Sequence, residues 1–331
     1  MRGLDLRKLD LRKLDLRKLA WGLLIGLVGA SSFGTLAHAA ERPDWAFPVT
    51  DKAQPPSPDD GSAKTAPGSD RTYTRKQIDD LFNPPDWYPD MHPPMPQVVA
   101  HGAGTTVRAC AACHLPTGTG HDESAYVAAL PAPYFIRQMA DYKSGARKGS
   151  GSMTALAKAI TDDDVRAAAD YFAALRPRPW IKVVEADIVP KTYVGPGNKR
   201  LRLPDGGTEP IGQRIIEIPE DENVVLNRDP RLGFIAFVPT GSIAKGEALV
   251  TTGGNGQTVP CATCHGPALT GLAEVPPIAG RQANYVVRQL FSFQDGSRTG
   301  AWSPLMAQAA AKLSVDDMLA IAAYTASLSP D

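Results

Sequence analysis

Cys110-Ala-Ala-Cys113-His114 recurs as Cys261-Ala-Thr-Cys264-His265, and these two pentapeptides hold every cysteine of the 331-residue chain. Two thiols spaced by two residues and followed at once by an imidazole form the attachment signature of c-type haem. The thiols add across the two vinyl groups of the macrocycle, and the adjacent histidine is held beneath the iron as proximal ligand. A disulfide within each pair is the first competitor in an oxidising compartment, and it leaves both histidines without a role. Zinc uses the same residue types, but each motif brings three ligands, with no Cys or His pair at finger spacing after it. The reading is two covalently attached haem c groups, held by Cys110, Cys113, Cys261 and Cys264, with His114 and His265 as iron ligands.

The elements that position these groups are themselves duplicated. A shift of 151 residues superposes the motifs and aligns Tyr134-Phe-Ile-Arg137-Gln138 with Tyr285-Val-Val-Arg288-Gln289, and Gly145-Ala-Arg147 with Gly296-Ser-Arg298. After a two-residue insertion the shift becomes 153, matching Met153 with Met306, Asp163-Asp164 with Asp316-Asp317, Tyr171 with Tyr324 and Leu175 with Leu328. Each copy reads as helical. Apolar periodic stretches end at Gly145 and Gly296, and the last helices start after Thr161-Asp-Asp-Asp164 and Ser314-Val-Asp-Asp317, an S/T-x-x-D capping pattern. Tyr171 and Tyr324 are expected to face the core.

All four cysteines serve attachment, so each iron's sixth ligand must come from elsewhere. The aligned pair Met153 and Met306 is the expected set, each in a loop that folds back across the haem before the last helix. Met139 and Met318 align with Leu290 and Val165 and are read as packing. Met91, Met95 and His101 are the substitutes on the first copy's side, where His92 and His121 also lie. Paired His/Met ligation raises the potential and leaves no open iron position, which suits electron transfer.

Residues 1–39 read as an export signal. Seven basic residues and three LDLRK copies precede an uncharged run from Ala20 to Ala39, and Ala37-His38-Ala39 sets cleavage before Ala40. An uncleaved membrane anchor is the alternative, weakened by Gly, Ser, Thr and His in the second half of the run. The expected location is the periplasm. The whole chain balances 35 basic against 35 acidic residues; removing residues 1–19 leaves 28 against 32, which argues against nucleic-acid binding. Residues 40–98 carry 12 of the 30 prolines. There Ala53–Asp70 reads as a flexible linker, and Asn83–Pro96, with Trp87 and Tyr88, as a strap packed on a neighbouring surface. Residues 99–180 and 242–331 hold the two copies. Between them, 181–241 form a joining segment with short strands expected at Arg214–Ile218 and Phe234–Val238.

These motifs resemble the class I cytochrome c fold, and the duplication resembles the two-haem cytochrome c4-like family. The resemblance is carried best by the second copy, through Ala248-Leu-Val, Cys261 to Gly266, Pro277-Ile-Ala-Gly280 and Met306. It implies a mainly α chain of two tandem class I cytochrome c domains with a small β-containing interdomain segment. It also implies that a proline carbonyl accepts the proximal histidine's ring N–H, a role that Pro277 fits. The first copy departs, with Tyr126 at that position and Leu115 where Gly266 stands. The function expected is single-electron transfer between a dehydrogenase or quinol-oxidising complex and a terminal acceptor. It needs redox protein partners, with basic docking patches suited to the acidic balance, and membrane contact only through redox complexes. The alternatives are a two-haem peroxidase-like enzyme, which requires an exchangeable iron position, and a dedicated electron-transfer subunit of a periplasmic dehydrogenase.

Overall fold

The structure is a computed structural model and describes residues 41–47, 59–121, 123–195 and 199–331. The expected leader and residues 53–58 of the expected linker lie outside the described residues. Remaining residues of that linker are ordered, contrary to expectation. β1 (Lys64–Thr65) pairs antiparallel with β2 (Thr72–Tyr73), and Ala66 joins Ile78, Trp87 and Tyr88 in a small core. Low apolar content did not prevent order, because the strap's aromatic residues supply the burial that this stretch lacks. α1 (Arg75–Ile78) follows, with a capping box between Thr74 and Gln77. The prolines then break regular structure as far as α2 (Gln97–Ala100).

The first half continues through α3 (Ala111–His114), α4 (Ala132–Ser144), α5 (Gly151–Ala159) and α6 (Asp162–Ala174). α4 ends at Gly145 with φ 83°, a left-handed cap that glycine adopts without Cβ strain. Thr161 caps α6 by accepting from the Asp164 N–H at 3.1 Å. Phe135, Met139 and Tyr142, spaced by four and three, join Phe172 and Tyr171 in the first core.

Between the halves lie β3 (Ile181–Glu185), β4 (Ile188–Pro190), β5 (Thr192–Val194), β6 (Arg200–Arg202), β7 (Thr208–Pro210), β8 (Ile216–Pro219), α7 (Glu222–Leu226) and β9 (Phe234–Val238). β9 is central, parallel to β3 and antiparallel to β8, while β4 pairs with β7 and β5 with β6. The two strands expected here are present, the first displaced to 216–219. β3 was not foreseen, because a parallel partner distant in sequence leaves no hairpin signal. Phe234 belongs to the first core, and Ala236 and Val238 to the second. The sheet therefore welds two cores together.

The second half comprises α8 (Ser242–Thr252), α9 (Ala262–His265), α10 (Ala283–Gln294), α11 (Ser303–Ala310) and α12 (Val315–Ser327). Ser314 and Asp317 complete a capping box on α12. α8 crosses α12 at Gly246, where a Cβ would lie 2.6 Å from the Ala320 carbonyl carbon. α10 has no side-chain cap of its own. The buried Glu217 of β8 accepts instead from its Ala283 and Asn284 N–H groups at 2.9 and 3.0 Å, a carboxylate on the positive end of the helix. The N-terminal stretch reaches this half too: Phe47 packs edge-on against Phe291. No helix among the described residues is long and apolar enough to cross a membrane.

Candidate functional site

Both motifs fold into one short helical turn. Cys110 and Cys261 stand at its start with helical dihedrals, and the histidine is its last residue. Leu115 then adopts φ 61°, ψ 158°, close to the φ 83°, ψ 160° of Gly266. The first copy thus makes the glycine turn with leucine, at a strain of about 1–3 kcal/mol. Beyond it the two loops match bond for bond. Gly120 and Gly271 each donate to the motif histidine's carbonyl at 2.9 Å, and the Gly118 and Leu269 carbonyls each accept two N–H groups from the returning chain.

That return brings a carbonyl to each imidazole. His114 Nδ1 lies 2.8 Å from the Ala125 oxygen, and His265 Nδ1 lies 2.8 Å from the Pro276 oxygen. The acceptor in the second copy is therefore Pro276, one residue before the expected Pro277, because the loop closes one residue earlier. Its counterpart in the first copy is Ala125, whose carbonyl needs no proline. With Nδ1–H donating, Nε2 keeps its lone pair, the tautomer that a metal requires. Burial depresses the basicity of both rings, so the neutral form is favoured.

None of the four cysteines is held in a disulfide. Burial pushes Cys110 up to about 12 and Cys261 up to about 11, so both remain protonated at neutral pH. Cys110 and Met153 pack on the first core, Cys261 and Met306 on the second. The structure thus brings each methionine to the core of its own motif. Both methionines sit in helices, α5 and α11, where a loop was expected. Ser150 caps α5 by accepting from the Met153 N–H, and Pro304 occupies the first turn of α11. Met139 and Met318 are buried. Met95 packs on the first core while Met91 is exposed. His92 engages Asp86 and Pro93, His101 engages Asn83, and His121 engages Ser124.

The repeat's other matched residues join the halves. Arg147 donates to Gln138 of its own half and to Tyr285 and Gln289 of the other, at 2.8–2.9 Å. Arg298 mirrors it, donating to Gln289 and to Tyr134 and Gln138 at 2.7–3.1 Å. Arg137 pairs with Glu274, and Arg288 with Glu123, at 2.5 and 2.8 Å; each is the other's image under the repeat shift. Polar side chains repeated on one face of a helix, with no ligand role, were the signal. Arg147 and Arg298 are buried without a carboxylate partner among the described residues. Arg281, buried nearby against the Tyr126 and Ala128 carbonyls, is pulled down to about 10 by desolvation.

A family model described as cytochrome C oxidase, cbb3-type, subunit III matches residues 97–172. The thiosulfate dehydrogenase electron acceptor of Thiomonas intermedia is 27% identical over 228 residues, covering 67% of this chain and 80% of that protein. Cytochrome c4 of Pseudomonas aeruginosa is 28% identical over 237 residues, covering 68% and 90%. Cytochrome c-554(548) of Halomonas halodenitrificans is 35% identical over 88 residues, which are 26% of this chain and 96% of that one. With two thiol-pair helices, each histidine held by a backbone carbonyl, and relatives matched along most of their length, the chain belongs to the two-haem, c4-like family of class I c-type cytochromes.

Proposed function

We propose that this chain carries single electrons through two haem c groups, one in each of two tandem class I cytochrome c domains at 99–180 and 242–331. Cys110 and Cys113 form thioethers to one group, Cys261 and Cys264 to the other. His114 and His265 would give Nε2 to the irons, and Met153 and Met306 would give thioether sulfur. The observation that carries this reading is the repeated 2.8 Å contact from histidine Nδ1 to a backbone carbonyl beside a cysteine pair that forms no disulfide.

Haem iron supplies the one-electron couple. The chain's residues hold it in the ligation that a carrier needs. The carbonyl contact fixes ring and tautomer, and soft thioether sulfur favours the reduced state. The three buried guanidinium groups near the interface fit anionic substituents such as haem propionates, since an unpaired buried cation is costly. A histidine and a methionine given to each iron would leave no exchangeable position for substrate, so we read a carrier and not an enzyme. The site of action is the periplasm, following cleavage before Ala40. The donor class is a dehydrogenase or quinol-oxidising complex, and the naming of relatives as electron acceptors of thiosulfate dehydrogenase supports the first. A dedicated electron-transfer subunit of such an enzyme is the second reading, favoured by the ordered strap and sheet.

Denaturing mass measurement should give the mature chain plus two haem masses. The ferric protein should show the far-red sulfur-to-iron band at two-site intensity, with Met306→Ala removing about half of it. One haem mass, or a peroxide-reactive high-spin iron at neutral pH, would overturn the reading.

A further inference from the structure

The two attachment helices are unequally covered. In the first half Ala111, Ala112, Pro116 and Thr117 are all buried, whereas the matching Ala262 is partly open and Thr263, Pro267 and Ala268 are exposed, as is Cys264. The first half's cover comes from elsewhere in the chain. Val225 of α7 and Leu232 beyond it sit in the first core, and the Arg228 guanidinium between them donates to the Ala112 carbonyl. α1 and the strap clamp this turn from behind, Arg75 donating to the Leu226 carbonyl at 2.6 Å and Trp87 to the Asn227 carbonyl at 2.8 Å. His92 of the strap lies edge-on to Tyr171, whose hydroxyl donates to the Pro116 carbonyl at 2.6 Å.

On the second half the same face forms a groove of about 290 Å³, walled by Val250, Ala262, Pro267, Leu269, Tyr324 and Leu328 and edged by Asp331. The repeat shifts map Ala262 onto Ala111, Pro267 onto Pro116, Tyr324 onto Tyr171 and Leu328 onto Leu175. What the first half covers with its own chain, the second leaves open beside its attachment helix.

We propose that this groove docks a segment of the redox partner that combines branched aliphatic side chains with an arginine, the chemistry that α7 and Arg228 bring to the first half. The choice of a redox partner rests on the electron-carrier reading; the chemistry of the segment does not. The aliphatic groups cover the half-buried Leu328 and the exposed face of Tyr324. The arginine takes the Thr263 carbonyl, the counterpart of Ala112. Charge favours the same occupant, since Asp331 stands where the first half has Arg178. A basic partner is thus attracted, with a dependence on salt.

The test is titration of the full-length, haem-loaded chain with a labelled synthetic peptide copying residues 223–232, read by fluorescence anisotropy and by the haem-methyl proton shifts. Saturable binding with half-saturation near 1 mM or tighter is expected, about −4 kcal/mol, with the methyl shifts confined to one haem. The peptide carrying Arg228→Gln should bind at least fivefold more weakly. Leu328→Glu in the chain should abolish binding; Asp331→Lys, at an exposed edge where folding is not at stake, should weaken it several-fold. No saturation at 10 mM, or equal binding by wild type and Asp331→Lys, would overturn the proposal. Anisotropy does not require haem, so a chain found to lack two haem masses would fail the carrier reading and leave the groove to be judged on its own.

Discussion

Replacing Gly246 by alanine tests whether the α8–α12 crossing sets the geometry of the second attachment site. The new Cβ would lie 2.6 Å from the Ala320 carbonyl carbon and 2.7 Å from Tyr324 Cβ. Carbon atoms settle at about 3.5–4.0 Å, so the helices must part by roughly 1 Å. Rotamer changes cannot relieve this, because the obstacles are backbone and a Cβ. Overpacking of this kind costs about 1–3 kcal/mol; with the backbone as obstacle we place it at the upper end. Alanine returns about 1 kcal/mol of helix propensity, leaving a net loss of about 2 kcal/mol. α8 also holds the attachment turn, since the Val250 carbonyl accepts from the Cys261 N–H at 2.9 Å. The helix shift should therefore perturb the haem spectrum of one site and not the other. Gly151→Ala is the control: it lies in α5 with nothing within 4 Å of its would-be Cβ, and should gain about 0.4–1 kcal/mol. Urea unfolding followed by circular dichroism measures both variants. A Gly246→Ala midpoint at or above wild type would refute the reasoning.

Arg298→Ala removes the donor shared by Gln289, Tyr134 and Gln138. Orphaned buried groups cost about 1–3 kcal/mol each, so a loss of at least about 2 kcal/mol is expected in urea unfolding, and Arg147→Ala should match it by symmetry. Burial pulls His92 down, but its bonds to Asp86 and the Pro93 carbonyl outweigh this and leave it raised above 6.5. Its contribution is then complete below pH 6.5 and lost as pH rises through the folded value. The stability gap between wild type and His92→Gln should accordingly shrink from pH 5.5 to 8.5; a constant gap would refute it. Trp87→Ala should cost about 3–5 kcal/mol, since this fully buried ring also holds the Asn227 carbonyl. Amide exchange should quicken in α7 and at Ala112 before it quickens in the second half.

Local signals were legible wherever they acted within a few residues. Thr161 and Ser314 start their helices as the capping pattern foretold, and Gly145 stops α4. The mainly helical halves and the two strands around Glu217 and Ala236 were readable too. What stayed hidden depended on distant partners. Lys64–Ala66 looked like linker because its order comes from Trp87 and Tyr88. β3 is made by β9, some fifty residues away. Pro276 rather than Pro277 faces His265 because loop closure, not residue type, selects a carbonyl. Arg147 and Arg298 were visible as matched positions, yet their meaning lies in a pairing between copies that no single copy contains.

Arg228 closes on the carbonyl of Ala112 across 116 residues of chain, which places an order on assembly. The first motif emerges from synthesis long before its lid, while the core it belongs to still lacks Val225, Leu232 and Phe234. During that interval Cys110 and Cys113 stand clear of the lid; once α7 has docked, Ala111 and Ala112 between them are buried and Arg228 is bonded to the Ala112 carbonyl, while both cysteines remain half-buried. The second motif carries no such cover: Cys261 is half-buried like Cys110, but Cys264 stays at the surface of the finished protein. A chain that folds ahead of delivery should therefore load its first site more slowly than its second, and half-loaded molecules should be enriched in those missing the haem of the first half.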